Sequence, residues 1–63
     1  MIKLGNVIFC KDGTRLVVIE MPNKEWSVLN LDTYQVRYVD MIPIYINEYH
    51  KGIATILDNI NEL

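Results

Sequence analysis

One cysteine, Cys10, and one histidine, His50, are all that this 63-residue chain has of either type, and their scarcity removes whole classes of chemistry. A lone cysteine cannot close a disulfide within the chain. One Cys with one His also falls short of the four ligands of a structural zinc site. Basic residues are sparse and scattered: six Lys and Arg stand against eight Asp and Glu, for a net charge of -2 and a pI near 5.1. Binding to a phosphate backbone draws its affinity from several such contacts, and no cluster of them is present. No stretch approaches the roughly 20 apolar residues that cross a bilayer, and residues 1–6 lack the basic-then-apolar layout of a signal peptide. Neither secretion nor membrane insertion is expected, and the chain reads as cytoplasmic.

Apolar residues, by contrast, are plentiful. They make up 51% of the chain against 22% charged, a balance that favours folding over disorder. With 63 residues there is room for a single domain, residues 1–63, and a domain this small buries only about 60% of the surface its unfolded chain exposes. Disulfide and metal staples being unavailable, oligomerisation is the remaining common source of extra stability.

Turn signals divide residues 6–40 into short apolar runs, the mark of an antiparallel meander. The first strand is expected at 6–10, ending at Lys11-Asp12-Gly13-Thr14, where Asp-Gly is a strong hairpin signal because both residues tolerate positive φ. A second, at 15–21, carries the β-branched Val17, Val18 and Ile19 and stops at Pro22, which cannot donate to a ladder. Strands at 25–31 and 35–39 flank Asp32-Thr33-Tyr34, a turn the Asp32 side chain can support. Pro43 allows a short fifth strand at 41–46 only as an edge or closing segment. From 47 the period changes: Tyr49, Ile53, Ile56, Leu57, Ile60 and Leu63 form an amphipathic stripe, giving a C-terminal helix over 47–62 with Asn47 as its cap. Gly52 weakens its middle by roughly 1 kcal/mol relative to Ala, so the regular part is expected from 52 or 53. The overall expectation is a mainly β fold, an antiparallel barrel of four to five strands over 5–46, followed by one helix.

Both faces of the strands are apolar. Val7 and Phe9 oppose Ile8 and Cys10; Leu16 and Val18 oppose Val17, Ile19 and Met21. A sheet with one solvated face alternates cleanly, so something must cover the second face, either the chain's own helix or another protein. The helical stripe also has the spacing of a coiled-coil seam, but it spans fewer than three heptads and crosses Gly52.

No set of residues assembles a catalytic or metal site. Cys10 lies on an apolar strand, where a buried structural thiol is the ordinary case, and His50 alone would have to serve it as base. The eight carboxylates are dispersed, without the spacing that gathers two on a metal or a glycosidic bond. Their excess is also too mild for a mimic of DNA phosphates. No cofactor and no enzyme activity is expected. Among the aromatics, Phe9 reads as core filling, while Trp26 and Tyr38 could floor a shallow groove on neighbouring strands. Tyr and Trp are enriched at binding hot spots because they offer large area with few rotors. Trp26, Tyr34, Arg37 and Tyr38 are therefore the candidate partner-binding residues.

The run Gly5-Asn6-Val7-Ile8-Phe9-Cys10-Lys11-Asp12-Gly13-Thr14, then Leu16-Val17-Val18-Ile19, Trp26-Ser27-Val28-Leu29-Asn30-Leu31-Asp32-Thr33 and Val36-Arg37-Tyr38-Val39, resembles the strand layout of small SH3-like barrel proteins, including bacteriophage-encoded ones. The likeness covers residues 5–46 and rests on strand spacing and a Lys-Asp-Gly turn. It implies a non-catalytic binding barrel, and for phage members a partner in the host cytoplasm. The chain departs from peptide-binding SH3 domains in lacking an Ala-Leu-Tyr-Asp-Tyr stretch, and from nucleic-acid-binding members in lacking a basic face. Abundant Ile, Asn, Lys and Tyr fit an AT-rich genome. The expected function is a protein-binding module, an inhibitor or modulator of a host protein. The alternatives are a nucleic-acid-binding barrel, using Arg15, Lys24 and Arg37 with Trp26 and Tyr38 as stacking surfaces, and a structural homodimer or larger homo-oligomer.

Overall fold

A computed structural model describes residues 2–37 and 42–62. Within them lie five strands, β1 (Val7–Cys10), β2 (Arg15–Glu20), β3 (Trp26–Asn30), β4 (Val36–Arg37) and β5 (Ala54–Leu57), with a helix α1 (Ile42–His50) between β4 and β5 and a 3-10 turn at Ile60–Glu62. The fold is mainly β, as expected. All strand pairings are antiparallel and the order across the sheet is β4-β3-β2-β1-β5. The sheet is open, with β4 and β5 as its edges.

Two of the hairpins share one design. After β1, Cys10 N–H donates to Thr14 C=O at 2.8 Å, Gly13 N–H to Cys10 C=O at 3.0 Å, and Thr14 N–H to Asp12 Oδ1 at 2.9 Å. After β2, Met21 N–H donates to Glu25 C=O at 2.8 Å, Lys24 N–H to Met21 C=O at 2.8 Å, and Glu25 N–H to Asn23 Oδ1 at 3.0 Å. Each is a three-residue loop whose last residue is left-handed, Gly13 at φ 93° and Lys24 at φ 70°. The Asp-Gly signal thus marked the right place for a different reason: Gly13 alone takes positive φ, while Asp12 accepts a local amide. The third turn is longer. Asn30 Oδ1 accepts from Asp32 and Thr33 N–H at 2.8 and 3.0 Å, and Tyr34 closes the turn at φ 60°.

The helix is earlier and shorter than the expected 47–62. Pro43 sits in its first turn, where a missing N–H costs nothing. The fifth strand expected at 41–46 is therefore helical over 42–46, with Met41 outside the described residues. Asn47, the expected cap, lies inside α1. Gly52, at φ 75°, ends the helix rather than interrupting it: Gly52 N–H donates to Tyr49 C=O at 3.0 Å and Ile53 N–H to Glu48 C=O at 2.9 Å. Those two bonds are the paired closures of a Schellman cap. Past that cap the apolar residues 54–57 pair with β1 as β5, with Val7 opposite Leu57 and Phe9 opposite Thr55. Of the strand expected at 35–39, residues 36 and 37 form β4, and Tyr38 and Val39 lie outside the described residues.

One face of the sheet makes the core. Ile8, Cys10, Leu16, Val18, Val28 and Ala54 cluster with Tyr45 of α1, and Ile2, Trp26, Ile42 and Ile56 pack around them. Ile8, Leu16, Val18 and Val28 are almost fully buried, each stabilising the fold by about 1.5–3 kcal/mol relative to exposure. In α1, Ile42, Tyr45, Ile46 and Tyr49 follow the three-and-four spacing that keeps one stripe towards the sheet.

Candidate interaction surface

Because α1 lies over the face that carries Ile8, Leu16 and Val28, it does not cover the opposite face. There the register lines up one aliphatic residue from every strand: Leu57 beside Val7, Val7 beside Val17, Val17 beside Leu29, and Leu29 beside Val36. Val7, in the middle of this row, is fully buried; Val17, Leu29 and Leu57 are half-buried, and Val36 is 49% exposed. Phe9, next on β1 along the same face, is 40% exposed. This corrects the expectation that Phe9 fills the core. Strand alternation carried the better signal, since Ile8 and Cys10 are buried in the cluster and Phe9 must then point the other way.

Of the four candidate partner-binding residues, the three that lie among the described residues do not form one patch. Trp26 opens β3 and packs against the core cluster. Tyr34 lies past the other end of β3 in the β3–β4 turn, 77% exposed. A strand of five residues separates its ends by about 13 Å at the rise of a β-strand. Arg37 is exposed on β4, opposite Val28, and lines clefts with Glu48 on one side and Glu25 on the other. Tyr38 is outside the described residues.

The basic residues of the nucleic-acid alternative are apart as well. Arg15 opens β2 and is ion-paired with Asp32, whereas Lys24 lies in the turn beyond the far end of β2. The hydrogen bond from Arg15 holds the Asp32 carboxyl below the ordinary carboxylate range. The Thr14 amide does the same for Asp12.

Cys10 is buried, and burial raises its thiol pKa, with the negative charges of Asp12 and Glu48 adding to the effect. A thiol so placed is a poor nucleophile. His50 lines a different cleft, with Asn6, Tyr49 and Asp58, so the two residues do not share a cavity. Among the described residues no three of His, Cys, Asp and Glu gather as metal ligands, and no helix is long and apolar enough to cross a membrane.

Sequence and fold were also compared with known proteins: no family model, no curated protein and no solved structure matches the chain.

Proposed function

We propose that this chain is a non-catalytic protein-binding module, built on an SH3-like scaffold, that docks a partner protein on the sheet face opposite α1. The observation that carries the reading is the unbroken aliphatic row Leu57, Val7, Val17, Leu29 and Val36 with Phe9 beside it. A sheet face that meets only water carries polar residues at these positions; the residues of this patch that most reach solvent are Val36 and Phe9, at 49% and 40% exposed, and exposed apolar side chains rimmed by polar ones mark interaction sites. Strand order supports the scaffold, a meander from β1 to β4 with β5 returning beside β1. The AT-rich residue usage supports a phage-encoded modulator of a host protein, acting by occupying a surface.

The test compares captures from bacterial lysates by the native chain and by a Val36→Glu, Phe9→Ser variant, both altered positions being exposed. A host protein recovered with the native chain in stoichiometric amount and lost with the variant is the expected result. Identical recoveries from several hosts overturn the reading.

A further inference from the structure

Past Val7 the face opposite α1 runs on to the far end of the β1–β5 pair. There Phe9 lies opposite Thr55 on β5 and opposite Arg15 on β2. Lys11 follows directly on β1, and Lys51 and Ile53 stand on either side of Gly52, which closes α1. Phe9, Lys11, Lys51, Ile53 and Thr55 border one shallow groove. Its apolar side chains reach water, with Phe9 40% and Ile53 43% exposed, and both lysines are exposed as well. In a chain of net charge -2, the described residues that line this groove include two cations and no carboxylate. Neither lysine pairs with a described carboxylate, since the one ion pair among the described residues joins Arg15 to Asp32. Lys11 also borders the adjoining cleft with Asp12 and Glu48, but there Asp12 Oδ1 accepts the Thr14 amide.

We propose that this groove takes an acidic, apolar-centred segment of the partner protein: a leucine or phenylalanine side chain against Phe9 and Ile53, with aspartate or glutamate on either side of it meeting Lys11 and Lys51. The inference rests on the protein-binding reading above and adds to it the chemistry of the partner. An apolar anchor inside a charged rim divides the work of recognition. Burial of Phe9 and Ile53 supplies affinity, while the rim charges fix orientation and reject basic segments. A nucleic acid suits the groove less well. Two lysines neutralise too few phosphates to hold a polyanion on an acidic chain, and Arg15, the next cation beside Phe9, already faces Asp32. An acidic peptide asks for only the two charges that the groove presents.

The deciding experiment is an NMR titration of the purified chain with the end-blocked peptide Glu-Asp-Leu-Phe-Asp-Glu, carried to about 2 mM so that a millimolar site is half filled. Saturable amide shifts are expected at Phe9, Lys11, Lys51, Ile53 and Thr55, with those of β3 unmoved. Lys11→Glu and Lys51→Glu, at exposed positions, are each expected to weaken binding by roughly three- to tenfold. The doubly reversed chain should instead bind the same peptide with lysine at every acidic position, a rescue that a general loss of folding could not produce. Absence of shifts overturns the proposal. So do equal shifts from the acidic and the lysine peptide on the native chain, or tighter binding of a short oligothymidylate than of the acidic peptide. A chain that captures a host protein through Val36 and Phe9 but ignores the acidic peptide loses this inference and keeps the broader reading. Peptide binding that depends on Lys11 and Lys51 supports the inference even where lysates yield no partner.

Discussion

Asn6 and Asp58 join the beginning and the end of the described fold: the Asn6 side-chain Nδ2 donates to the Asp58 carbonyl at 3.3 Å. The same side chain accepts the Lys3 amide through Oδ1 at 2.7 Å, and Asn6 is 7% exposed. One buried amide therefore ties the turn before β1 to the segment that leaves β5, on the two strands whose pairing is most distant in sequence.

Replacing Asn6 by Leu leaves the Lys3 amide and the Asp58 carbonyl without that partner. A loss of about 1–3 kcal/mol is expected, seen as a lower urea midpoint with unchanged slope. The loss should be accompanied by faster amide exchange in β5 than in β2 and β3, because Asn6 holds β5 and not the β2–β3 hairpin.

Gly52→Ala discriminates by sign. Gly52 as the left-handed residue that closes α1, at φ 75°, makes alanine there destabilising by about 1 kcal/mol. Were Gly52 inside a helix over 47–62, alanine would stabilise by a similar amount. Thermal unfolding of the two chains reads the sign directly.

Lys24 and Tyr34 hold left-handed backbone without being glycine, at φ 70° and 60°. Lys24→Gly and Tyr34→Gly are each expected to raise stability by up to about 1 kcal/mol, since the steric cost of a Cβ in that region exceeds the added chain entropy. Both side chains are exposed, so little packing is lost. Denaturant midpoints check the two variants separately and together, and the gains should add.

Asp32 is held below the ordinary carboxylate pKa by its hydrogen bond from Arg15. A carboxyl with a depressed folded pKa contributes stability above its unfolded value, about 4, and that contribution is lost as pH falls through the folded value. Arg15→Met is therefore expected to return the Asp32 titration, followed by carboxyl NMR shifts, upward to the ordinary range. It should also flatten part of the acid limb below about pH 4. High salt should reproduce much of the effect, because the pair is exposed to solvent.

Much of the fold was legible because it is local. The β1–β2 and β2–β3 hairpins are written in Asp12-Gly13 and in Pro22-Asn23, whose chemistry acts within a few residues, and β-branched Val17, Val18 and Ile19 suit the strand between them. Pro43 and Gly52 were equally local signals, a proline for the first turn of a helix and a glycine for its end. The apolar spacing of residues 49–63 masks both, because it suggests a longer helix that leaves 41–46 to a short edge or closing strand and puts Gly52 in the helix middle. Of the candidate site, the sequence showed that both strand faces are apolar, but its aromatic residues drew attention to Trp26 and Tyr34, which the fold places at opposite ends of β3.

Local chemistry by itself therefore determined a small, mainly β chain, its first three strands and the turns between them. Tertiary structure alone decided the rest. Residues 54–57 are apolar enough for a helix or a strand, and they become β5 because β1 offers an unpaired side on which Val7 and Phe9 can bond Leu57 and Thr55. Pairing between segments more than forty residues apart leaves no periodic trace in either one. Which face of the sheet is buried was likewise undecided while both were apolar. The placement of Tyr45 over Ile8, Leu16 and Val28 chose one face for the core, and by doing so left the row from Leu57 to Val36 on the other.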